Sequence, residues 1–326
     1  MNISSISVSN LCNINCNKQK NVVGLNKQLA TDCFVKSSNV SFSALNPVAQ
    51  RQQKIDSFVS DLFLKVRSPK FSIRDISDSF QKHVKNVYVK PMNQAPKELL
   101  YSASLQGLYC EELGFDETSN RFLIPKKNRV FYTRTETLNK DLGNIWCSVN
   151  AAHELTHALQ TEAADSKQLD LFNTYIENNK KDIDSAINQV TAVVQTINPI
   201  EENIARPFID LLVQNEQVAY NRVQDGYTNV FGWLCKKGKI DNFDAYVREK
   251  VNESIKTSEK EHNIKLDKPL LFDATINLFE KEIEAYANEG RAFKRFIGFD
   301  SPRALARVQI YQKSIDILKE MKKEVE

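Results

Sequence analysis

Residues 153–157 read His-Glu-Leu-Thr-His, in a chain of 326 residues with only four histidines. On a helix, residues four apart lie on one face, one turn from each other. In a strand the same two side chains would stand roughly 13 Å apart. If the two imidazoles act together, this stretch is helical. The residues around it agree. Ile145, Val149, Ala152, Leu155 and Leu159 recur at helical spacing and form a core-facing stripe. Trp146, His153, His157 and Gln160 fall on the adjacent face, with Asn144 as N-cap. The histidine pair therefore borders the apolar stripe, where the floor of a cleft is expected.

The rest of the chain is mostly helical in texture. Nine glycines are few for this length. Asn46-Pro47 pairs a capping residue with proline at the first helical position and opens a helix running to Val66. Further helices are predicted near Ile73–Asn86, Lys97–Glu112, Lys167–Gln195, Glu202–Gln224, Asn242–Lys256, Ala274–Phe296 and Pro302–Lys323. Asn198-Pro199 predicts a break, and Gly226, Gly232 and Gly238 predict another. Phe122–Thr135 is β-branched and aromatic, and Arg129–Thr135 alternates as a strand does. The fold class read from this is mainly α with a small β element, an α+β chain. Residues 1–45, rich in Asn and Ser, read as a disordered leader. Residues 46–326 read as one mostly helical domain, with an N-terminal helical part at 46–115 and a metal-binding part at 116–326.

The totals exclude several function classes. With 44 basic and 41 acidic residues the net charge is +3, without the concentrated basic face of a nucleic-acid binder. Lys236, Lys237 and Lys239 read as a solvated loop. The six cysteines include no C-x-x-C pair, so they read as unpaired thiols. The N-terminus lacks a basic start and apolar core, so it is no secretory signal. No apolar run reaches the ~18–20 residues of a membrane span. A soluble, by default cytoplasmic, protein is expected, and the Asn-rich composition hints at a bacterial origin.

The chemistry follows from the pair. Two imidazoles at i and i+4 grip one metal ion, and Glu154, beside the first, reaches a water held by that metal without being a ligand. The stretch Asn150–Gln160, NAAHELTHALQ, resembles the active-site helix of zincin metallopeptidases, particularly branches reading H-E-L-x-H-x-x-Q. The strand-like stretch before it is similar to the substrate-binding edge strand of that family. The resemblance covers roughly residues 120–165 and one later segment. It implies a zincin-like catalytic core with extra helices, binding Zn²⁺. The longer metzincin pattern is absent, since position 160 is Gln and position 163 is Ala. The family's glutamate-type branch, the gluzincins, then implies a carboxylate as third ligand further along the chain.

Leu278–Phe293 resembles the glutamate helix of such families through Glu282-Ile283-Glu284-Ala285-Tyr286. Glu282 shares a helix face with Leu278, Phe279, Ala285, Tyr286, Phe293 and Phe296, where an unpaired carboxylate is costly and a metal supplies a partner. Glu284 falls on the polar face and reads as solvated. Glu216-Gln217-Val218-Ala219-Tyr220 repeats the pattern on an equally apolar face, so Glu216 stays open as a rival. His83 and His262 read as solvated. Tyr286 is either a donor to the reacting oxygen or a packed core tyrosine, and Asn150 and Gln160 are candidate supports of the ligands.

The function expected is zinc-dependent hydrolysis of peptide bonds in a peptide or protein substrate. His153, His157 and Glu282 hold the metal, and Glu154 is the general base. Two alternatives remain: a non-catalytic, metal-binding helical interaction protein on a zincin-like scaffold, and a non-haem iron site built on two histidines and a carboxylate.

Overall fold

In the computed structural model the described residues are 3–6, 9–10, 46–96, 105–124, 129–162 and 166–326. The strands are β1 (Ile3–Ile6), β2 (Ser9–Asn10), β3 (Val87–Pro91), β4 (Leu105–Asp116), β5 (Arg121–Leu123) and β6 (Arg129–Thr133). The helices are α1 (Pro47–Phe63), α2 (Ile73–Gln81), α3 (Gly143–Glu162), α4 (Lys167–Asn178), α5 (Ile183–Gln214), α6 (Glu216–Gln224), α7 (Val230–Gly238), α8 (Phe243–His262), α9 (Lys268–Ile297) and α10 (Pro302–Lys323). The class is mainly α with a small β element. No helix among the described residues is long and apolar enough to cross a membrane.

Several boundaries fall where local chemistry puts them. Asn46 caps α1, its Oδ1 accepting from Ala49 N at 2.8 Å. Ser301 caps α10 ahead of Pro302. Asp267 caps α9, which closes at Gly298 with φ +99°. Asn144 does not cap α3. It is the helix's second residue, buried, accepting from Asn139 N at 2.7 Å and donating to Val66 O at 3.0 Å. Gly143 starts α3 because a Cβ there would sit 1.8 Å from Thr137 O.

Four readings of the sequence are corrected. The helix expected at Lys97–Glu112 is, over its described part, strand β4; residues 97–104 lie outside the described residues. Tyr109 packs with Phe131 on one side, while Leu108 packs with Tyr132 and Met92 on the other. Burial on both faces removes the alternation that marks a half-buried strand. The break expected at Asn198-Pro199 is absent, since α5 runs through both Pro199 and Pro207. The break expected from Gly226, Gly232 and Gly238 contains helix α7. Lys236 and Lys237 close that helix, exposed, rather than lying in a loop.

The sheet order is β1-β4-β6-β3. β3 and β6 are parallel, with Val87 opposite Arg129, and β4 and β6 are antiparallel, with Tyr109 opposite Phe131. β5 forms a hairpin with the far end of β4. The strand expected before the histidine helix is β6, but it lies between β4 and β3 and is not an edge. Within the expected leader, the described residues are β1 and β2, which pair antiparallel with β4; the rest lies outside the described residues.

Among the described residues two large apolar clusters and a small one around Met92, Leu108 and Tyr132 make the core. One large cluster gathers α1, α2, the sheet and α3 around Phe58, Phe80, Phe131 and Leu155. The other gathers α5 and α7 to α10 around Phe208, Leu234, Phe272 and Leu318. Helix α9 contributes to both, with Phe279 in one and Phe293 in the other. It packs along α3 and α10. The histidines of α3 therefore meet α9 in the middle of the molecule.

Candidate metal centre

Helix α3 is buried on every face from Cys147 to Gln160, not on a single stripe. Its histidines accordingly lie inside the molecule, with His153 at 0% and His157 at 6% exposure. Their Nε2 atoms face each other at 3.1 Å. Glu282 of α9, 1% exposed, completes a triangle: Oε2 lies 3.6 Å from His153 Nε2 and Oε1 lies 3.3 Å from His157 Nε2. One ligand atom from each of the three lies within 4.8 Å of the other two. Ligands bound at about 2.0–2.1 Å around a tetrahedral ion stand roughly 3.3 Å from each other, so these separations fit one small cation.

The electrostatics point the same way. Burial opposes charge on His153, but Glu282, Glu289 and Glu154 outweigh it and push its pKa up to about 10. Burial likewise opposes charge on Glu282, but His157 and His153 hold its carboxyl far below the usual range. Glu282 Oε2 is buried with no hydrogen-bond partner among the described residues. Three carboxylates around two imidazoles make a centre that favours a positive occupant, a proton or a metal ion.

Each histidine is supported on its other nitrogen. His153 Nδ1 lies 3.0 Å from Glu289 Oε2, and Arg303 Nε of α10 lies 3.4 Å from the other oxygen of Glu289. His157 Nδ1 lies 3.1 Å from Gln160 Oε1. The Gln160 amide donates to Lys281 O and to Glu284 Oε2, both at 3.1 Å. Glu284 is then gripped by Arg51 of α1 through two hydrogen bonds, of 2.7 and 3.0 Å. Glu284 is thus part-buried and paired, a correction to its solvated reading. Tyr286 is fully buried with its ring edge-on to His153 at 4.5 Å, and the Arg307 guanidinium lies over the Tyr286 ring at 5.3 Å. Its hydroxyl has no partner among the described residues.

Glu154 is fully buried and turned toward β4, where Oε2 accepts from Tyr109 N at 2.9 Å. Gly107 makes room for it, since a Cβ there would stand 3.2 Å from Glu154 Oε1. A cleft lined by Tyr109, His157 and Glu282 opens beside the triangle.

The structure thus brings together His153, His157, Glu154 and Glu282. It does not bring Glu216 to the group; that residue begins α6 and bonds with Tyr220. Asn150 is buried, and of the two candidate supports Gln160 is the one in contact with a histidine. His83 is half-buried rather than solvated, and His262 ends α8. The sequence reading missed Glu289, Arg303 and Arg51. Glu289 was legible, because it follows Glu282 by seven residues and so shares its helix face. Arg303 and Arg51 come from other helices and carry no local signal.

Comparison of the chain with models of known protein families, with curated proteins and with solved structures finds no match.

Proposed function

We propose that this chain is a zinc-dependent peptidase. The observation that carries the reading is the meeting of the two Nε2 atoms, 3.1 Å apart, with the Glu282 carboxylate, one oxygen 3.3 Å from His157 and the other 3.6 Å from His153, beside a glutamate that follows the first histidine. His153, His157 and Glu282 would hold the ion, the donor set expected of a hydrolytic zinc site with one position left open. Zinc bound there supplies Lewis acidity toward a water and a carbonyl oxygen. Glu154 accepts the proton of the attacking water and returns it to the leaving amine. To do so it leaves or shares its bond from Tyr109 N. Glu289 and Gln160 keep the imidazoles turned with Nε2 inward. The resemblance of Asn150–Gln160 to zincin helices supports a peptide as substrate.

One observation favours a second reading. Glu154 is buried and bonded to strand backbone, a structural use of the side chain that fits a metal-binding interaction protein without turnover. Glu154→Gln separates the two, because an amide oxygen still accepts from Tyr109 N but cannot take a proton. Protein purified without chelators is expected to carry about one zinc per chain, lost in His157→Ala and Glu282→Ala and kept in Glu216→Ala. A mixed peptide library is expected to be cleaved by the wild type and left intact by Glu154→Gln. Zinc without cleavage selects the second reading. No stoichiometric metal in any of the proteins, even after zinc is added, removes both.

A further inference from the structure

The cleft beside the triangle holds a cavity of about 90 Å³. His157 and Glu282 are among the residues that line it. The apolar part of the wall comes from Leu113 of β4, Ile124 after β5, Phe172 of α4, Val194 and Ile197 of α5, and Leu278 of α9, beside polar residues such as Thr161 and Asn198. Leu113, Phe172, Val194 and Ile197 belong to the buried core of the second half of the molecule. The cleft is therefore an indentation of that core, held by β4, α3, α4, α5 and α9, and not a gap between surface side chains. An apolar wall of this kind gives water few partners and favours apolar atoms in its place.

Three of its lining residues, Tyr109, Gln168 and Glu282, carry buried polar atoms without a hydrogen-bond partner among the described residues, and Gln168 is the one with both a donor and an acceptor unmatched. Gln168, at the start of α4, lines the cleft, and both atoms of its carboxamide are buried with no hydrogen-bond partner among the described residues. A buried donor and acceptor left together are costly unless a ligand supplies their complement. A peptide group supplies one, an N–H beside a C=O. Glu111 and Lys281 also line the cleft.

Taking these together, and resting on the peptidase reading, we infer that this cleft is the specificity site. It receives an aliphatic side chain of about leucine size from an extended peptide, and Gln168 pairs with a backbone amide of the same peptide. Glycine or acidic residues at that position of the substrate are disfavoured, because they leave the apolar wall wet or bury an unpaired charge. Val194 sets the depth available to the side chain, and Gln168 reads the backbone.

The test uses N-acetyl-leucine, N-acetyl-glycine and N-acetyl-glutamate hydroxamates, titrated calorimetrically into the zinc-loaded full chain. The leucine compound is expected to bind at least about tenfold tighter than the other two, from burial of one isobutyl group. Val194→Phe, checked by zinc content and circular dichroism, is expected to bring the leucine and glycine affinities together. Gln168→Leu is expected to weaken all three compounds alike. Wild-type affinities for leucine and glycine hydroxamates within about twofold overturn the inference even if Val194→Phe does not fold, and leave the zinc reading standing. If the protein takes up no zinc, the cleft is tested without it, by saturation-transfer NMR with N-acetyl-leucine methylamide. Transfer to the leucine methyl groups that disappears in Val194→Phe supports the cleft. No transfer, or transfer unchanged in the variant, overturns it.

Discussion

His153 Nδ1 lies 3.0 Å from Glu289 Oε2, and both groups are fully buried. Glu289 comes from the same helix as Glu282, two turns further on, so α9 presents one carboxylate to each side of the His153 ring. Burial opposes charge on Glu289, but Arg303 and His153 keep its carboxyl below the usual range. It is therefore an anionic neighbour of Nδ1, in an ion-pair contact without hydrogen-bond alignment, and it favours the proton on Nδ1, which leaves the lone pair of Nε2 facing the centre. Carboxylates in this position typically contribute 10–100-fold to metal affinity. Glu289→Ala is expected to lower zinc affinity by about that factor, and Glu289→Gln by less, since the amide keeps a polar oxygen beside Nδ1. A competition titration against a chromophoric chelator measures both. Equal affinity in wild type and Glu289→Ala would remove this role.

The other histidine is tied to a distant part of the chain. His157 leans on Gln160, Gln160 on Glu284, and Glu284 on Arg51 of α1. Arg51 and Glu284 keep only 12% and 16% of their side-chain surface exposed. Arg51→Ala leaves a part-buried carboxylate with one partner fewer, at an expected cost of about 1.5–3 kcal/mol of stability. Urea denaturation measures it. Because the relay passes through two more side chains before it reaches the imidazole, zinc affinity should fall severalfold at most, and less than in Glu289→Ala.

His83 follows α2, its ring edge-on to Phe58 at 6.5 Å and its Nε2 buried without a partner among the described residues. Burial lowers its pKa from 6.5; Asp61 opposes this, while Lys54 and Lys82 add to it. The folded chain therefore resists a proton that the unfolded chain accepts. Stability is full above pH 6.5 and is lost as pH falls from there toward the folded pKa. His83→Gln does not titrate in this window. Denaturation midpoints measured from about pH 7.5 down to 5.5 should fall more steeply in wild type than in His83→Gln. Parallel profiles would assign the acid sensitivity elsewhere.

The elements most legible in the sequence are those whose evidence is local. Asn46-Pro47 and Ser301-Pro302 carry caps, and α1 and α10 begin beside them. The spacing of His153 and His157 fixed both the helix and the pair's geometry. Glu282 was preferred over Glu216 by family likeness, with the two faces equally apolar, and Glu282 is the one the fold brings to the pair. The site's depth was not legible. A helix buried on all sides hides its polar residues among small ones such as Ala151, Ala152 and Ala158, and its moment points nowhere in particular. The strand β4 was read as helix because both its faces are covered. The two prolines of α5 were read against the helix because a sequence displays the missing N–H but not what becomes of the carbonyl it would have served. At Pro199 that carbonyl belongs to Gln195, an exposed residue open to water.

At Pro207 the answer is a side chain. The carbonyl four residues back is that of Asn203, and Tyr246 of α8 donates its hydroxyl to it at 2.8 Å. The same hydroxyl lies 3.4 Å from Ile204 O, and the ring packs against Phe208 and Phe243. Tyr246 thus replaces the hydrogen bond that proline removes, and α5 continues where a proline would otherwise end it. Tyr246→Phe keeps the ring and removes the donor, at an expected cost of about 1 kcal/mol. Pro207→Ala restores the backbone N–H and makes the hydroxyl redundant. In that background Tyr246→Phe should cost about half as much or less, so the double-mutant cycle gives a coupling of roughly 0.5 kcal/mol or more. Chemical denaturation of the four proteins supplies the cycle. Equal costs of Tyr246→Phe in both backgrounds would show that the hydroxyl serves the helix no differently with or without the proline, and this account of the unbroken α5 would fall.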